Sequence, residues 1–431
     1  MAIIKQKRFF SWEEIEDLGD LERLKLIINY FDDEKLMQKL EKIRDKGRNK
    51  YPIRATWNSI LAGIIYQHDS INSLIRELKR NIQLRDLCGF DILKGIKAIP
   101  TPSAYSNFLK NLMKNQDEVY DIFNNLIKAL KKELPDLGEM LAGDGKAIPS
   151  YGKKPKRRKR DGRRDMDANI GVKTYSGIKD DGTRWQKTKI WFGYRLHLIV
   201  DAKYEIPVAY EVTKASISEK KVMRRLIAKL NEDIIKSCKF FLLDKGYDDV
   251  KLIKKFYDGY KIKPIIDIRN MWKDPDQTRV LDKNIVYNYK GTISCYCPVK
   301  GEPKEMAFKG FEESRKSLKY ICPSKAYGIA CAGVKKCLRK DIRIPLSFDR
   351  RIFTPVARSS YKWKTLYKKR TSVERVNSRI DQSFGFERHF IRGLKKMKLR
   401  CGLALCVMLT LALARIKEKR KDLILSLVKV A

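Results

Sequence analysis

Histidine is scarce in this chain, with three residues among 431, and no two of them lie near each other in sequence. A histidine metal centre and a Ser-His-Asp triad are therefore not expected. Long apolar runs are also missing, because the longest uncharged stretch, Cys401 to Ala414, has 14 residues. A membrane-spanning helix needs about 20. The stretch is predicted to be a buried helix, and no membrane partner is expected.

Acidic residues are few beside basic ones, with 52 Asp and Glu against 94 Lys and Arg, which gives a formal net charge of +42. Such a charge predicts a polyanionic partner, nucleic acid first, held through counterion release. The lysines are spread along the whole chain, so solubility or genome composition is an alternative explanation. Hydrophobic residues make up 43% of the chain, which is enough for a large core and excludes wholesale disorder.

An export signal is not expected either, because the N-terminal residues lack an apolar segment. The nine cysteines are odd in number and dispersed, a pattern that favours a reducing compartment over a disulfide framework. We expect a cytoplasmic, nucleoid-associated protein.

Four segments differ in pattern. Residues 1–138 have apolar positions at helical spacing and predict an all-helical N-terminal domain that could bind DNA ends. Short apolar strands alternate with helices in residues 139–270. Residues 271–354 are rich in Gly, Pro, Tyr and Cys and predict a small β-rich insertion, and helices return in residues 355–431.

The second segment predicts a mixed α/β unit, with a hairpin turn at Asp201 to Lys203. The expected strands are Met140 to Ile148, Ile190 to Val200, Ile206 to Val212, Phe240 to Leu243 and Lys263 to Ile268. The last apolar helix is expected to pack on this sheet, since that buries its surface. One discontinuous α/β domain, interrupted by the insertion, accounts for the pattern.

Two aspartates stand where apolar strands are expected to meet loops. Asp144 lies between two glycines in LAGDGKAI, and Asp244 ends FFLLD, two residues before Gly246. Sheets of α/β proteins build their sites at such positions. Two carboxylates held together repel each other unless a divalent cation neutralises them, and oxygen-only ligation favours Mg²⁺. Each aspartate taken alone is also explained as a helix cap or a turn residue.

A third acid lies in LYKKRTSVERVNSRI, where Tyr367, Arg370 and Glu374 recur every three or four positions and so share one helix face. The opposite face carries apolar anchors, namely Val373, Val376 and Ile380. This face could hold a metal and a phosphate. The alternative is a solvated helix with an Arg370 to Glu374 pair, worth about 0.2–0.5 kcal/mol.

These three acidic segments, in this order, resemble the motifs of the DDE transposases of bacterial insertion sequences. The last segment matches the first three letters of their Y-x2-R-x3-E-x6-K signature, and WFGYRLHLIVD with IPVAYEVTKA resembles the hairpin after their first acid. The resemblance implies an α/β fold: a ribonuclease H-like mixed sheet with flanking helices, interrupted by the small β-rich insertion.

The resemblance also implies the chemistry. Asp144, Asp244 and Glu374 would bind two Mg²⁺ or Mn²⁺ ions, with Arg370 and Tyr367 acting on the DNA beside them. The partners would be double-stranded DNA at the element's ends and at the target, handled by a dimer. A metal-dependent nuclease that cuts without joining, and an inactive DNA-binding remnant, stay open as alternatives.

Two positions depart from the family pattern. Asp381 stands where the signature has its lysine, so contact with the element's end passes to a neighbour such as Arg379 or Arg388. Glu219 replaces an aspartate after the hairpin and is expected to cap a helix.

A loop of extreme charge follows the first strand, with nine basic residues in the thirteen from Gly152 to Arg164. It is expected to lie beside Asp144 and to bind DNA phosphates, although a solvated loop is the alternative. Its basic residues are Lys153, Lys154, Lys156, Arg157, Arg158, Lys159, Arg160, Arg163 and Arg164.

Five of the nine cysteines fall in the insertion, namely Cys295, Cys297, Cys322, Cys331 and Cys337. A small β-rich segment buries little apolar surface, so a structural Zn²⁺ is one interpretation of the cluster. The spacing lacks paired C-x2-C motifs, and unligated core cysteines are the other interpretation.

Overall fold

The protein is described by a computed structural model that covers residues 19–44, 50–154, 165–178, 183–272, 278–297, 299–333, 335–337 and 340–427. The N-terminal region is helical, as expected. Its α-helices are α1 (Glu22–Tyr30), α2 (Glu34–Arg44), α3 (Ile53–Ile65), α4 (Ile71–Arg80), α5 (Ile82–Cys88), α6 (Pro102–Lys114) and α7 (Gln116–Glu133).

Local sequence signals fix the ends of these helices. The Thr101 hydroxyl accepts the backbone N–H of Ala104 at the start of α6, and Pro102 occupies the first helical position. Ser70 caps α4 in the same way through the N–H of Ser73. Short 3-10 turns at Gly19–Leu21 and Ile92–Ala98 complete the region.

A six-stranded mixed sheet follows, with strand order β2-β3-β1-β5-β6 and β4 paired to β3. Strands β1, β5 and β6 are parallel to one another, and β3 is antiparallel to β1, β2 and β4. The strands are β1 (Met140–Pro149), β2 (Asn169–Ile178), β3 (Arg184–Asp201), β4 (Pro207–Lys214), β5 (Phe240–Leu243) and β6 (Lys263–Ile266). The helices between them are α8 (Glu219–Ala228), α9 (Glu232–Ser237) and α10 (Val250–Lys254), which continues as a π-helical turn, Lys255–Gly259.

Five expected strands are present, but β2 was not among them and β3 begins at Arg184 instead of Ile190. The side chains of Ile170 and Val172 on β2 are 40% and 55% exposed. With these two apolar side chains facing solvent, this part of β2 lacks the alternation of buried and exposed residues by which strands are recognised.

The segment after β6 carries seven short strands in the part of it that the structure describes, arranged as two antiparallel sheets, β10-β9-β8-β7 and β11-β12-β13. It has its own apolar core, which includes Ile285, Tyr320 and Phe353. Its elements are β7 (Thr278–Asp282), β8 (Ile285–Asn288), β9 (Ile293–Tyr296), β10 (Pro303–Glu305), β11 (Ala307–Glu312), β12 (Ser317–Ile321), α11 (Pro323–Tyr327) and β13 (Asp341–Pro345). The exact domain boundaries stay a prediction.

The C-terminal helices are α12 (Tyr361–Lys368), α13 (Ser372–Phe384) and α14 (Leu394–Lys417). Helix α14 contacts β4 of the sheet, as expected, and also helices α1, α3 and α7 of the N-terminal region. By length and composition α14 could cross a membrane, but 89% of its most apolar window is buried inside the protein. It is the shared core of the sheet and the N-terminal helices.

Candidate active site

Two carboxylates lie side by side where β5 ends. Gly143 of β1 pairs with Leu243 of β5 in parallel register, and Asp144 and Asp244 are the next residues on each chain. Neighbouring strands lie about 4.8 Å apart, so the two acids adjoin. The expectation that Asp144 ends a strand is wrong, because β1 stays paired with β3 as far as Pro149.

Asp144 is partly exposed, with 14% of its side chain accessible. Burial raises its pKa and the charge of Asp244 raises it further, while Lys173 and Arg370 lower it. The Lys173 Nζ lies 3.9 Å from the Asp144 Oδ1. That oxygen has no hydrogen-bond partner among the residues that the structure describes.

Glu374 lies in the first turn of α13, which packs on β1 and β3. The helix is anchored, as expected, by three fully buried side chains, namely Val373, Val376 and Ile380. Glu374 lines the same cleft as Asp144. Its Oε1 accepts a hydrogen bond from the Arg370 Nη1 at 2.8 Å, and half of its side chain is exposed.

The spacing predicted one continuous helix from Tyr367 to Glu374, and this prediction is wrong. A 3-10 turn, Lys369–Thr371, separates α12 from α13. Tyr367 and Arg370 nonetheless stay in contact, with the guanidinium carbon 5.6 Å from the ring centroid. Trp363 also stacks on Tyr367, at 4.6 Å between centroids. Burial opposes the charge of Arg370, but Glu374 and its other neighbours raise its pKa overall.

The cleft between β1, β3 and α13 has a volume of about 450 Å³. Three lysines line it together with the acids, one each from β1, β2 and β3: Lys146, Lys173 and Lys189. Asn377 of α13 lines it too, and its Oδ1 is buried without a hydrogen-bond partner among the described residues. The cleft therefore combines oxygen acceptors with cations that suit phosphate groups.

Magnesium would find suitable donors here. Two buried oxygens without hydrogen bonds, the Asp144 Oδ1 and the Asn377 Oδ1, line the cleft beside Glu374. Carboxylate and amide oxygens are the ligands that Mg²⁺ prefers. Within the described ranges, no three His, Cys, Asp or Glu side chains stand close enough together to hold an ion as they are. Glu374 is instead paired with Arg370.

Glu219 belongs to the same group of charges, although the sequence indicated only a helix cap. It is the first residue of α8, after the N-cap Ser218, and its Oε1 lies 3.0 Å from the Arg195 Nη1. A Cβ on Gly246 would lie 3.9 Å from the Asp244 Oδ2 and 4.0 Å from the Glu219 Oε2. Burial raises the pKa of Glu219, with Asp144 and Asp244 adding to the shift.

Tyr247 is a second residue that the sequence did not reveal. Its hydroxyl is buried with no hydrogen-bond partner in the described part of the chain. Burial raises its pKa well above the usual value, and the nearby Asp144 and Glu219 add to the shift. Tyr247 lies in the turn after β5, and only the folded structure shows that this turn is close to Asp144 and Glu219.

The basic residues predicted to contact DNA lie in different surroundings, and most of them fall outside the described residues. Arg379 forms an ion pair with Glu205 on the turn between β3 and β4, and its contact with DNA stays a prediction. Lys153 and Lys154 are exposed. Their loop follows β1, which ends at Pro149, five residues after Asp144. The other seven lie outside the described residues: Lys156, Arg157, Arg158, Lys159, Arg160, Arg163 and Arg164.

Two known transposase families match this chain. The model of the family described as "Transposase DDE domain" matches residues 144–410, more than half of the chain, and that of "Transposase domain (DUF772)" matches residues 10–111. The chain belongs to the DDE-domain transposases. The matched range contains Asp144, Asp244 and Glu374, and the resemblance expected from the three motifs is confirmed.

Other comparisons add little about this transposase. The search of curated proteins finds no match. Among solved structures, the chain is similar to the "Cryo-EM structure of piggyBac transposase synaptic complex with hairpin DNA" at 10% identity. The likeness covers 97% of this chain and 82% of that chain with a TM-score of 0.38, which is too low to support an argument about the fold.

Proposed function

We propose that this transposase binds the ends of an insertion sequence, cleaves them and joins them to target DNA. The observation that carries the proposal is the adjoining position of Asp144 and Asp244 at the end of β5, beside a cleft that Asp144 shares with Glu374. Family membership supplies the class of protein, and the adjoining acids support phosphoryl transfer as its chemistry.

The catalytic core is proposed to be ribonuclease H-like. Strands β4, β3 and β1 run antiparallel in succession, and β5 and β6 continue parallel to β1. This order supports the proposal, as does the position of the β-rich segment between Asp244 and Glu374 in the chain.

Asp144, Asp244 and Glu374 would hold two Mg²⁺ or Mn²⁺ ions. Bound there, the ions would activate water or a DNA 3′-hydroxyl and stabilise the leaving oxygen of an in-line transfer. The Asp144 Oδ1 supports this assignment, because this buried oxygen accepts no hydrogen bond from the described residues and the Lys173 ammonium, at 3.9 Å, is beyond hydrogen-bond distance.

The other residues of the cleft are proposed to hold the DNA. Lys146, Lys173 and Lys189 line its wall and would bind the phosphates on either side of the scissile bond. Arg370 pairs with Glu374 and its charge acts on Asp144 and Asp244, so it can neutralise the scissile phosphate or orient Glu374. Tyr367, in contact with Trp363 and Arg370, would contact the DNA backbone.

Double-stranded DNA is the proposed partner over a larger surface. The basic loop from Lys153 to Arg164 would clamp the phosphates, and the N-terminal helices would recognise the element's end. A dimer on DNA is proposed because two ends must be handled together. The proposed compartment is the cytoplasm, where the nucleoid supplies targets.

The test uses the purified full chain, labelled DNA from the borders of its own coding region, a target plasmid and Mg²⁺. Cleaved and joined products are expected, and Asp144→Asn, Asp244→Asn and Glu374→Gln should each abolish both while still shifting DNA in gels. Asp136→Asn, at an exposed ion pair with Lys203, is the matched control and should stay active.

The outcomes separate the alternatives. Broken ends that are never joined would leave a metal-dependent nuclease. Binding without cleavage under any divalent metal would leave an inactive DNA-binding remnant. Equal loss of binding in the three acid variants would contradict a purely catalytic role for the acids.

A further inference from the structure

The five cysteines of the β-rich segment converge on one place. Cys295 and Cys297 lie two residues apart at the end of β9, Cys322 follows β12, and Cys331 and Cys337 precede β13. All five side chains line a single small cavity. Its volume of about 10 Å³ is roughly that of one water-sized particle. Residues distant in sequence thus surround a space that fits one ion.

A tight turn holds Cys297 directly after β9. The Gly301 N–H donates to the Cys297 carbonyl at 2.8 Å, and Gly301 has φ +65°, which glycine adopts readily. The backbone N–H groups of Lys300, Val299 and Gly333 lie near the Cys297 side chain, as does Cys331. The turn thus places Cys297 on the wall of the cavity.

The apolar core does not extend over all five cysteines. Cys295 belongs to the core of the segment, together with Ile285 and Ile293, whereas the other four cysteines lie outside it. Cys295 therefore packs as a small apolar side chain.

We propose that Cys297, Cys322, Cys331 and Cys337 bind one structural Zn²⁺ ion, with Cys295 left in the core. Zinc takes four ligands in closed structural sites, so one of the five cysteines must be excluded. The sulfurs stand around the cavity, with no three of them close enough to hold an ion as they are, and binding draws them inward.

The surrounding charge suits such a site. Four thiolates and one Zn²⁺ carry a net charge of −2, and Lys304 lines the cavity with its ammonium group donating to the Ala330 carbonyl. The segment also contacts the catalytic sheet, because Arg351 forms an ion pair with Asp248, four residues after Asp244, at 2.6 Å. Zinc would thus stabilise the connection between the second and third acids.

The experiment measures metal content of the purified full chain by mass spectrometry, after expression in zinc-supplemented medium. About one zinc per chain is expected. Cys331→Ser and Cys337→Ser should each lower the zinc content at least about tenfold. Cys295→Ser is the matched control, with the same chemical change on the same cavity, and should keep its zinc.

Cobalt substitution of the wild-type chain gives a second measurement that needs no variant. The d–d and thiolate charge-transfer bands of a tetrahedral four-sulfur site are expected. Absence of both zinc and these bands in the wild-type chain would overturn the proposal. Loss of zinc in Cys295→Ser equal to that in Cys331→Ser would overturn the choice of ligands. Neither readout depends on DNA cleavage, so failure of the proposed reaction leaves this test intact.

Discussion

Lys146 of β1 forms an ion pair with Asp381 of α13 across the end of the candidate active site. Lys146 lies two residues after Asp144, and Asp381 lies seven residues after Glu374. The transposase signature has a lysine at the position of Asp381. The ammonium group of Lys146 thus lies against the aspartate that stands at the signature position.

Exchanging these two charges tests the relationship. Lys146→Asp alone places two carboxylates together and should lower end joining at least about tenfold, because a phosphate-binding cation is lost. The double variant Lys146→Asp with Asp381→Lys restores the pair with the lysine at the signature position. We expect it to recover most of the activity in the plasmid-joining assay. A double variant as inactive as the single one would show that the strand position of the lysine matters.

Asp144 should make stability depend on pH and on metal. Its pKa is raised in the folded protein, so the folded state binds more protons than the unfolded state between the ordinary value of about 3.9 and the raised one. Stability contributed by this group therefore falls as pH rises through that window. Asp144→Asn removes the effect, so the difference in Tm between variant and wild type should grow from pH 4 to pH 7.

Divalent cations should reverse the loss of stability that ionised Asp144 causes at neutral pH. Mg²⁺ or Mn²⁺ that binds the ionised acids stabilises the folded state by mass action. The Tm of the wild-type chain at neutral pH should rise with added Mg²⁺, and that of Asp144→Asn should not, in differential scanning fluorimetry. Equal shifts in both proteins would contradict a metal site that includes Asp144.

Glu219 is expected to act as a positioning residue. Glu219→Gln keeps the shape but removes the charge that faces Arg195 and adjoins the two aspartates, so cleavage should fall about 10–100-fold. The Mg²⁺ concentration for half-maximal activity should rise, which a purely structural role would not cause. Glu211→Gln, at the exposed pair with Arg225, is the control and should change neither.

The loop after β1 should contribute to the salt dependence of DNA binding. Each phosphate contact contributes about 0.9 to the slope of log affinity against log salt. Replacing both Lys153 and Lys154 with glutamine should flatten the slope by up to about 1.8 on any duplex. The same change at Lys236 and Lys239, beyond the other end of β5 from Asp244, should leave it unchanged. An unaltered slope in the Lys153 and Lys154 variant would mean that these lysines do not touch DNA.

Apolar strands were the most readable part of the sequence. Phe240–Leu243 has the bounds that its four apolar residues predicted, because a strand buried on both faces has a continuous apolar sequence. The parallel pairing that joins Asp144 to Asp244 follows once two such strands are neighbours. The order of the acidic motifs then identified the family.

Site residues that are brought together only by tertiary contacts could not be predicted from the sequence. Lys173 lies on a strand whose Ile170 and Val172 side chains face solvent, so nothing in the local pattern linked it to Asp144. Glu219 looked like an ordinary first-turn acid, and only the sheet brings it to Gly145 and Gly246. The 3-10 turn before α13 could not be predicted either, because the sequence spacing of Tyr367, Arg370 and Glu374 is that of an uninterrupted helix.

Helix α14 follows Glu374 in the chain and lies at the centre of the molecule, between β4 and the helices α1, α3 and α7. Its buried side chains cover apolar surface of both the sheet and the N-terminal helices. A frameshift or early stop codon upstream of Glu374 removes the third acid and this central helix together. We therefore expect a chain truncated there to lose its fold together with its third acid.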